Sequence, residues 1–85
     1  MCKDFQKELG KRLKQIRQEK QITQEALALE SSISRSHIAM IEAGKRDITV
    51  SALFKISRAL NVTLTEIFSF DNTEKFQFDI EKLYE

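Results

Sequence analysis

Residues 23–44, TQEALALESSISRSHIAMIEAG, restrict what this chain can fold into more than any other stretch. Thr23 is a good N-cap, because its hydroxyl can accept an otherwise unpaired amide hydrogen of a first helical turn. Leu27 and Ala28 supply the inward face of that helix. Ser31 and Ser32 interrupt the pattern, since serine side chains compete for backbone hydrogen bonds and favour turns and caps. Ile33 is apolar enough to plug the corner. Ser34 then caps a second helix with the inward stripe Ile38 and Ile41, and Gly44 stands where a left-handed residue ends a helix. The stretch predicts two short helices joined by a tight turn. Arg35, Ser36, His37 and Met40 are left on one outer edge of the second.

The flanking sequence supplies the core. Phe5, Leu9, Leu13 and Ile16 form one apolar stripe at the 3.6-residue period and predict a first helix over residues 4–20. Lys7, Lys11, Arg12 and Lys14 lie off the stripe. Gly10 inside it weakens the helix by up to about 1 kcal/mol relative to alanine. Ile22 closes the corner into the second helix. Beyond Gly44, Lys45-Arg46-Asp47 is a basic loop and Ile48 returns to the core. Thr49 or Ser51 starts a fourth helix with Leu53, Ile56, Ala59 and Leu60 inward and Lys55 and Arg58 toward solvent, where either could approach a phosphate. Thr63-Leu64-Thr65-Glu66 is a capping box opening a fifth helix, whose Leu64, Ile67 and Phe68 complete the core. The chain has no proline and only two glycines, which suits an all-α fold with short connections.

This reading divides the chain into a five-helix domain, residues 1–68, and a C-terminal extension, residues 69–85. In the extension Phe76, Phe78 and Ile80 alternate as in a strand. Phe76, Ile80, Leu83 and Tyr84 fit one helical face equally well, with Asp71 and Glu74 as cap signals, and the helix is preferred. Phe70, Phe76 and Phe78 are too many aromatics to leave exposed on so small a domain. They are expected to bury against the first or fifth helix, or against a second subunit. An 85-residue chain builds a modest core, and a second copy would enlarge it.

Several function classes drop out. The single cysteine, Cys2, allows no intramolecular disulfide, which points to a reducing, cytoplasmic setting. No apolar run approaches the roughly 20 residues of a membrane span, and no signal peptide is legible. No cysteine–histidine spacing suits zinc, and no glycine-rich loop suits a nucleotide phosphate. The lone histidine, His37, has no acid and nucleophile arranged around it. Neither an enzyme nor a cofactor is expected. Net charge is only +1, yet residues 1–20, 21–60 and 61–85 carry +4, +1 and −4. A basic front and an acidic rear suit a protein that turns one face toward phosphates.

The combination of Arg17, Thr23-Gln24-Glu25, Leu27-Ala28, Ile33-Ser34-Arg35, Ile38, Ile41-Glu42 and Gly44-Lys45-Arg46 resembles the phage-repressor-like (Xre-type) helix-turn-helix family. Within that family it is most similar to the controller proteins of restriction–modification systems. The likeness covers roughly residues 5–68. It implies a sequence-specific transcriptional regulator, homodimeric through its C-terminal region, that reads a pseudo-palindromic operator and regulates its own gene. Double-stranded DNA, a second copy and RNA polymerase are the partners it implies, with no membrane. It also implies an ion pair between Arg17 and Glu42 and phosphate contacts from Thr23 and Gln24.

The residues themselves extend the site. Gln24 stands on a first helical turn, where outward backbone amides let a phosphate dock. Ser34 joins it at the next helix start, and Lys45 and Arg46 add phosphate contacts that strengthen binding without reading sequence. Among the expected base contacts, the Arg35 guanidinium can bond guanine O6 and N7 together. Ser36 can reach a phosphate or a base edge. His37 suits a base or phosphate contact or plain solvent, and Met40 a thymine methyl or packing beside Ile41. One position departs from the family: its usual turn glycine is replaced by Ser32, so a strained turn is expected, at a cost on the order of 1 kcal/mol. Two other readings stay open. One is the antitoxin of a toxin–antitoxin pair; the other is an adaptor that keeps the fold and binds only protein.

Overall fold

The apolar stripes converge on one core, and the computed structural model, which describes residues 3–69, shows how. The element order is α1 (Lys3–Glu19), α2 (Gln24–Ser31), α3 (Arg35–Glu42), α4 (Val50–Leu60) and α5 (Leu64–Ile67). The first helix packs against α3 and α5, α2 packs against α3 and α4, and α4 meets α5. Leu13, Leu27, Ile38, Ile56, Leu60 and Ile67 are fully buried, one or more from each helix. Burying each such side chain is worth roughly 1.5–3 kcal/mol. Phe5 sits at the edge of this core and stacks on Phe68 with ring centroids 6.3 Å apart.

Local sequence explains where the helices begin. Thr23, Ser34, Thr49 and Thr63 are all extended N-caps, and each side-chain oxygen accepts from the amide three residues on. Those four bonds, to Ala26, His37, Ala52 and Glu66, measure 3.0–3.1 Å. Such a cap is worth about 1 kcal/mol.

The helix ends share a different device. Gln21, Ser32, Gly44 and Asn61 follow α1, α2, α3 and α4, and all four have φ between 57° and 72°. After each of them the next amide reaches back five residues, from Ile22 to Arg17, Ile33 to Ala28, Lys45 to Met40 and Val62 to Ser57. This left-handed reversal satisfies carbonyls that a helix end otherwise leaves orphaned. Ser32, with φ 60° and ψ 29°, takes the turn in the conformation for which glycine is usual.

Two expectations are corrected. The first helix runs from Lys3 to Glu19, one residue earlier at each end than its apolar stripe suggests. Leu64 is 37% exposed and does not join the core, because α5 is a single turn and only Ile67 can point inward. Val50 and Phe54, on the outer side of α4, are exposed. Beyond Ser69, the extension and its expected interface residues Phe70, Phe76 and Phe78 lie outside the described residues.

Gly10 has a reason that its helix propensity conceals. A Cβ built there would stand 2.4 Å from the Ile41 carbonyl oxygen and 2.7 Å from that of Glu42. The backbones of α1 and α3 therefore touch where no side chain fits. One turn away, a Cβ on Gly44 would stand 2.7 Å from the Lys7 Cα. The C-terminal end of α3 is thus seated directly on α1.

Candidate nucleic-acid interface

An outer edge of α3 is useful only if α3 cannot rock, and one charged cluster holds it. Arg17 on α1 and Glu42 on α3 are both buried. The Arg17 Nε donates to Glu42 Oε2 at 2.7 Å and Nη2 donates to Oε1 at 3.0 Å. Nη1 donates to the Ile22 carbonyl at 2.8 Å. This two-pronged geometry is the strong form of a charge-assisted hydrogen bond. Glu42 closes α3, where the helix dipole disfavours a carboxylate, and the arginine offsets that.

The same carboxylate also reaches the start of α2. Gln24 Nε2 donates to Glu42 Oε1 at 3.0 Å. Gln24 is the first residue of α2, next to the N-cap Thr23. Glu42 therefore fixes the rotamer of a side chain on the surface while its own charge stays inside. One amide hydrogen of Gln24 is engaged, and the second remains for an outside acceptor.

The outer edge comes next. Ser34 caps α3, so Arg35 is its first residue, and the first turn carries Ser36 and His37. Arg35 and Ser36 are exposed, His37 is half-buried and Met40 is 38% exposed. Met40 is therefore available at the surface while its neighbour Ile41 is buried. The Arg35 Nη1 donates to Glu25 Oε1 at 3.1 Å, an exposed pair between the first turns of α2 and α3. Thr23, Lys45 and Arg46 are exposed and flank this edge in sequence, with Lys45 and Arg46 directly after the turn at Gly44. Asp47, the acidic end of that loop, accepts from Gln6 of α1.

Sequence reasoning missed the Gln24–Glu42 and Glu25–Arg35 bonds, which link residues 18 and 10 positions apart. It also missed Arg12, whose Nη2 donates to the Glu66 carbonyl at 2.8 Å and ties α1 to the end of α5. Among the described residues no group of histidine, cysteine and acidic side chains is arranged to hold a metal ion. No helix among them is long and apolar enough to cross a membrane.

A family model described as helix-turn-helix (HTH_3) matches residues 13–67. The control protein C.MunI from Mycoplasma sp is 39% identical over 67 residues, which span 78% of this chain and 90% of that protein. The restriction–modification controller protein C.AhdI from Aeromonas hydrophila has a similar crystal structure, with TM-score 0.75 and 31% identity. That match covers 76% of this chain and 98% of the other. The controller protein C.Esp1396I, solved as a tetramer in complex with its natural 35-base-pair operator, matches with TM-score 0.70 and 35% identity. It covers 74% of this chain and 83% of that one.

Proposed function

The chain belongs to the HTH_3 helix-turn-helix family, and from that membership we propose that it is a DNA-binding transcriptional regulator of the controller type. One observation carries the assignment: α3 is locked through Glu42 to α1 while its outer edge displays Arg35, Ser36 and Met40, with half-buried His37 beside them. A rigid helix with its first turn at the surface is what the major groove requires, since recognition helices touch base edges with their N-terminal residues.

In this reading Arg35, Ser36, His37 and Met40 face the bases. Thr23, Gln24, Ser34, Lys45 and Arg46 hold the phosphates on either side. The two cap hydroxyls accept from backbone amides, so their own O–H groups remain as donors to a phosphate. Gln24 offers its second amide hydrogen in the same way.

The regulator acts as a homodimer. An eight-residue α3 is only about 12 Å long and covers about four base pairs at 3.4 Å each. Two copies on half-sites about one helical turn apart, roughly 34 Å, double the sequence read. The operator then mirrors the two-fold axis of the protein, and an operator beside its own gene makes the protein autoregulatory. The similar controller protein C.Esp1396I, solved as a tetramer on its natural 35-base-pair operator, supports a reading with several copies on one operator.

The experiment is equilibrium binding to a fragment of the gene's upstream DNA and to random DNA of equal length, over a salt series. Tight, salt-sensitive binding that prefers the upstream fragment is expected. Weak and equal binding to both would move the assignment to a protein-binding role.

A further inference from the structure

A carboxylate is an odd occupant for a phosphate-facing surface, where backbone charge repels it. Glu25 nevertheless stands there, directly after Gln24, with its side chain 75% exposed. Its partner among the described residues is Arg35, whose side chain is 63% exposed. So exposed a pair adds little to stability, because water screens it and two long side chains lose rotamer freedom. Its effect is geometric. It ties the first turn of α2 to the first residue of α3 and engages Nη1 of the guanidinium. The Nε and Nη2 groups keep their donors free of any partner among the described residues, and their parallel N–H bonds match the O6 and N7 acceptors of guanine.

We propose that Glu25 is a specificity-determining residue that holds Arg35 with its Nε–Nη2 edge toward the bases. The proposal rests on the DNA-reading function given above. On a guanine both partners are served, since the ion pair survives while the free edge bonds to the base. On another base Arg35 has two poor choices. It stays with Glu25 and leaves the base unmet, or it turns to a phosphate and leaves a lone carboxylate against the backbone. Glu25 thereby lowers affinity for arbitrary DNA and raises discrimination, a repulsive element built beside an attractive one.

The test measures the full chain against the upstream fragment and random DNA at one salt concentration. The variants are Glu25→Gln, Glu25→Ala, Arg35→Ala and the double change Glu25→Ala/Arg35→Ala. Glu25→Ala is expected to bind random DNA more tightly and to lose about fivefold or more of the preference, the lower end of what one bidentate base contact supplies. Glu25→Gln moves the same way by less, because its amide oxygen can still accept from Arg35. In the Arg35→Ala background, removing Glu25 tightens both DNAs by one factor and leaves the preference unchanged. All variants are expected to keep the native melting temperature, since both side chains are exposed.

A preference fully retained by Glu25→Ala would overturn the proposal. So would an equal loss with and without Arg35, because the carboxylate would then act alone. An unaltered protein with no preference to lose would defeat the DNA-reading function itself, and the two failures are thereby distinct.

Discussion

Gly10 and Ile41 meet backbone to backbone: a Cβ on the glycine would lie 2.4 Å from the isoleucine's carbonyl oxygen. This contact reverses the sign that helix propensity assigns to Gly10→Ala. In an open helix the change would stabilise by about 1 kcal/mol. Here the methyl group forces α1 and α3 apart, and overpacking of this kind costs about 1–3 kcal/mol. A net loss is expected, read as a lower midpoint in urea unfolding. A midpoint that holds or rises would show that the two helices do not abut.

The Arg17–Glu42 pair predicts non-additivity. Both residues are buried, so removing either one strands a charge at a cost of about 3–5 kcal/mol. Arg17→Met with Glu42→Leu together should cost well under the sum of the two single changes, because no charge is then left unpaired. Four denaturation curves, of the native protein, the two single variants and the double variant, decide it. Equal and additive losses would mean that the two groups act independently.

The two proposed kinds of DNA contact separate by their response to salt. Arg35→Ala should reduce the preference for operator over random DNA by about 1–3 kcal/mol. Lys45→Ala should weaken binding to both DNAs alike and lower the salt slope by about 1. A uniform loss in Arg35→Ala would reassign that side chain to the phosphates.

The left-handed residues give a paired prediction. Ser32→Gly should stabilise by up to about 1 kcal/mol, since a non-glycine residue at φ 60° is strained. The extra freedom of glycine in the unfolded chain trims that gain. Gly44→Ala should destabilise by more than this, because φ 72° and the close Lys7 backbone both oppose a Cβ. Thermal melts of the two variants moving the same way would contradict the assignment.

What the sequence made legible was local. Thr23, Ser34 and Thr63 declare their caps because a cap needs only its own hydroxyl and an amide three residues on. Leu9, Leu13 and Ile16 declare a buried face because the helical period is fixed. Gln21 gave no such signal. Glutamine has no special tolerance for positive φ, and the turn shows only in its backbone, where the Ile22 amide reaches back to Arg17. Leu64 misled for a related reason, since a capping box marks where a helix starts and not how long it runs. Glu25 was matched only as part of a motif. Its meaning lies in its distance to Arg35, which depends on how α2 and α3 meet. The same holds for Gln24, whose partner Glu42 lies at the far end of α3.

The division of labour along α3 sets how a lineage of such proteins can change. Glu42 answers to Arg17 and Gln24, so altering it alone breaks several bonds at once, and any exchange there needs coordinated substitutions. Ser36 and Met40 stand at the surface, and each can be replaced singly while the protein still folds. Operator preference is therefore free to drift in single steps while the scaffold stays under constraint. Glu25 and Arg35 are the exception, for as a pair they can diverge only together.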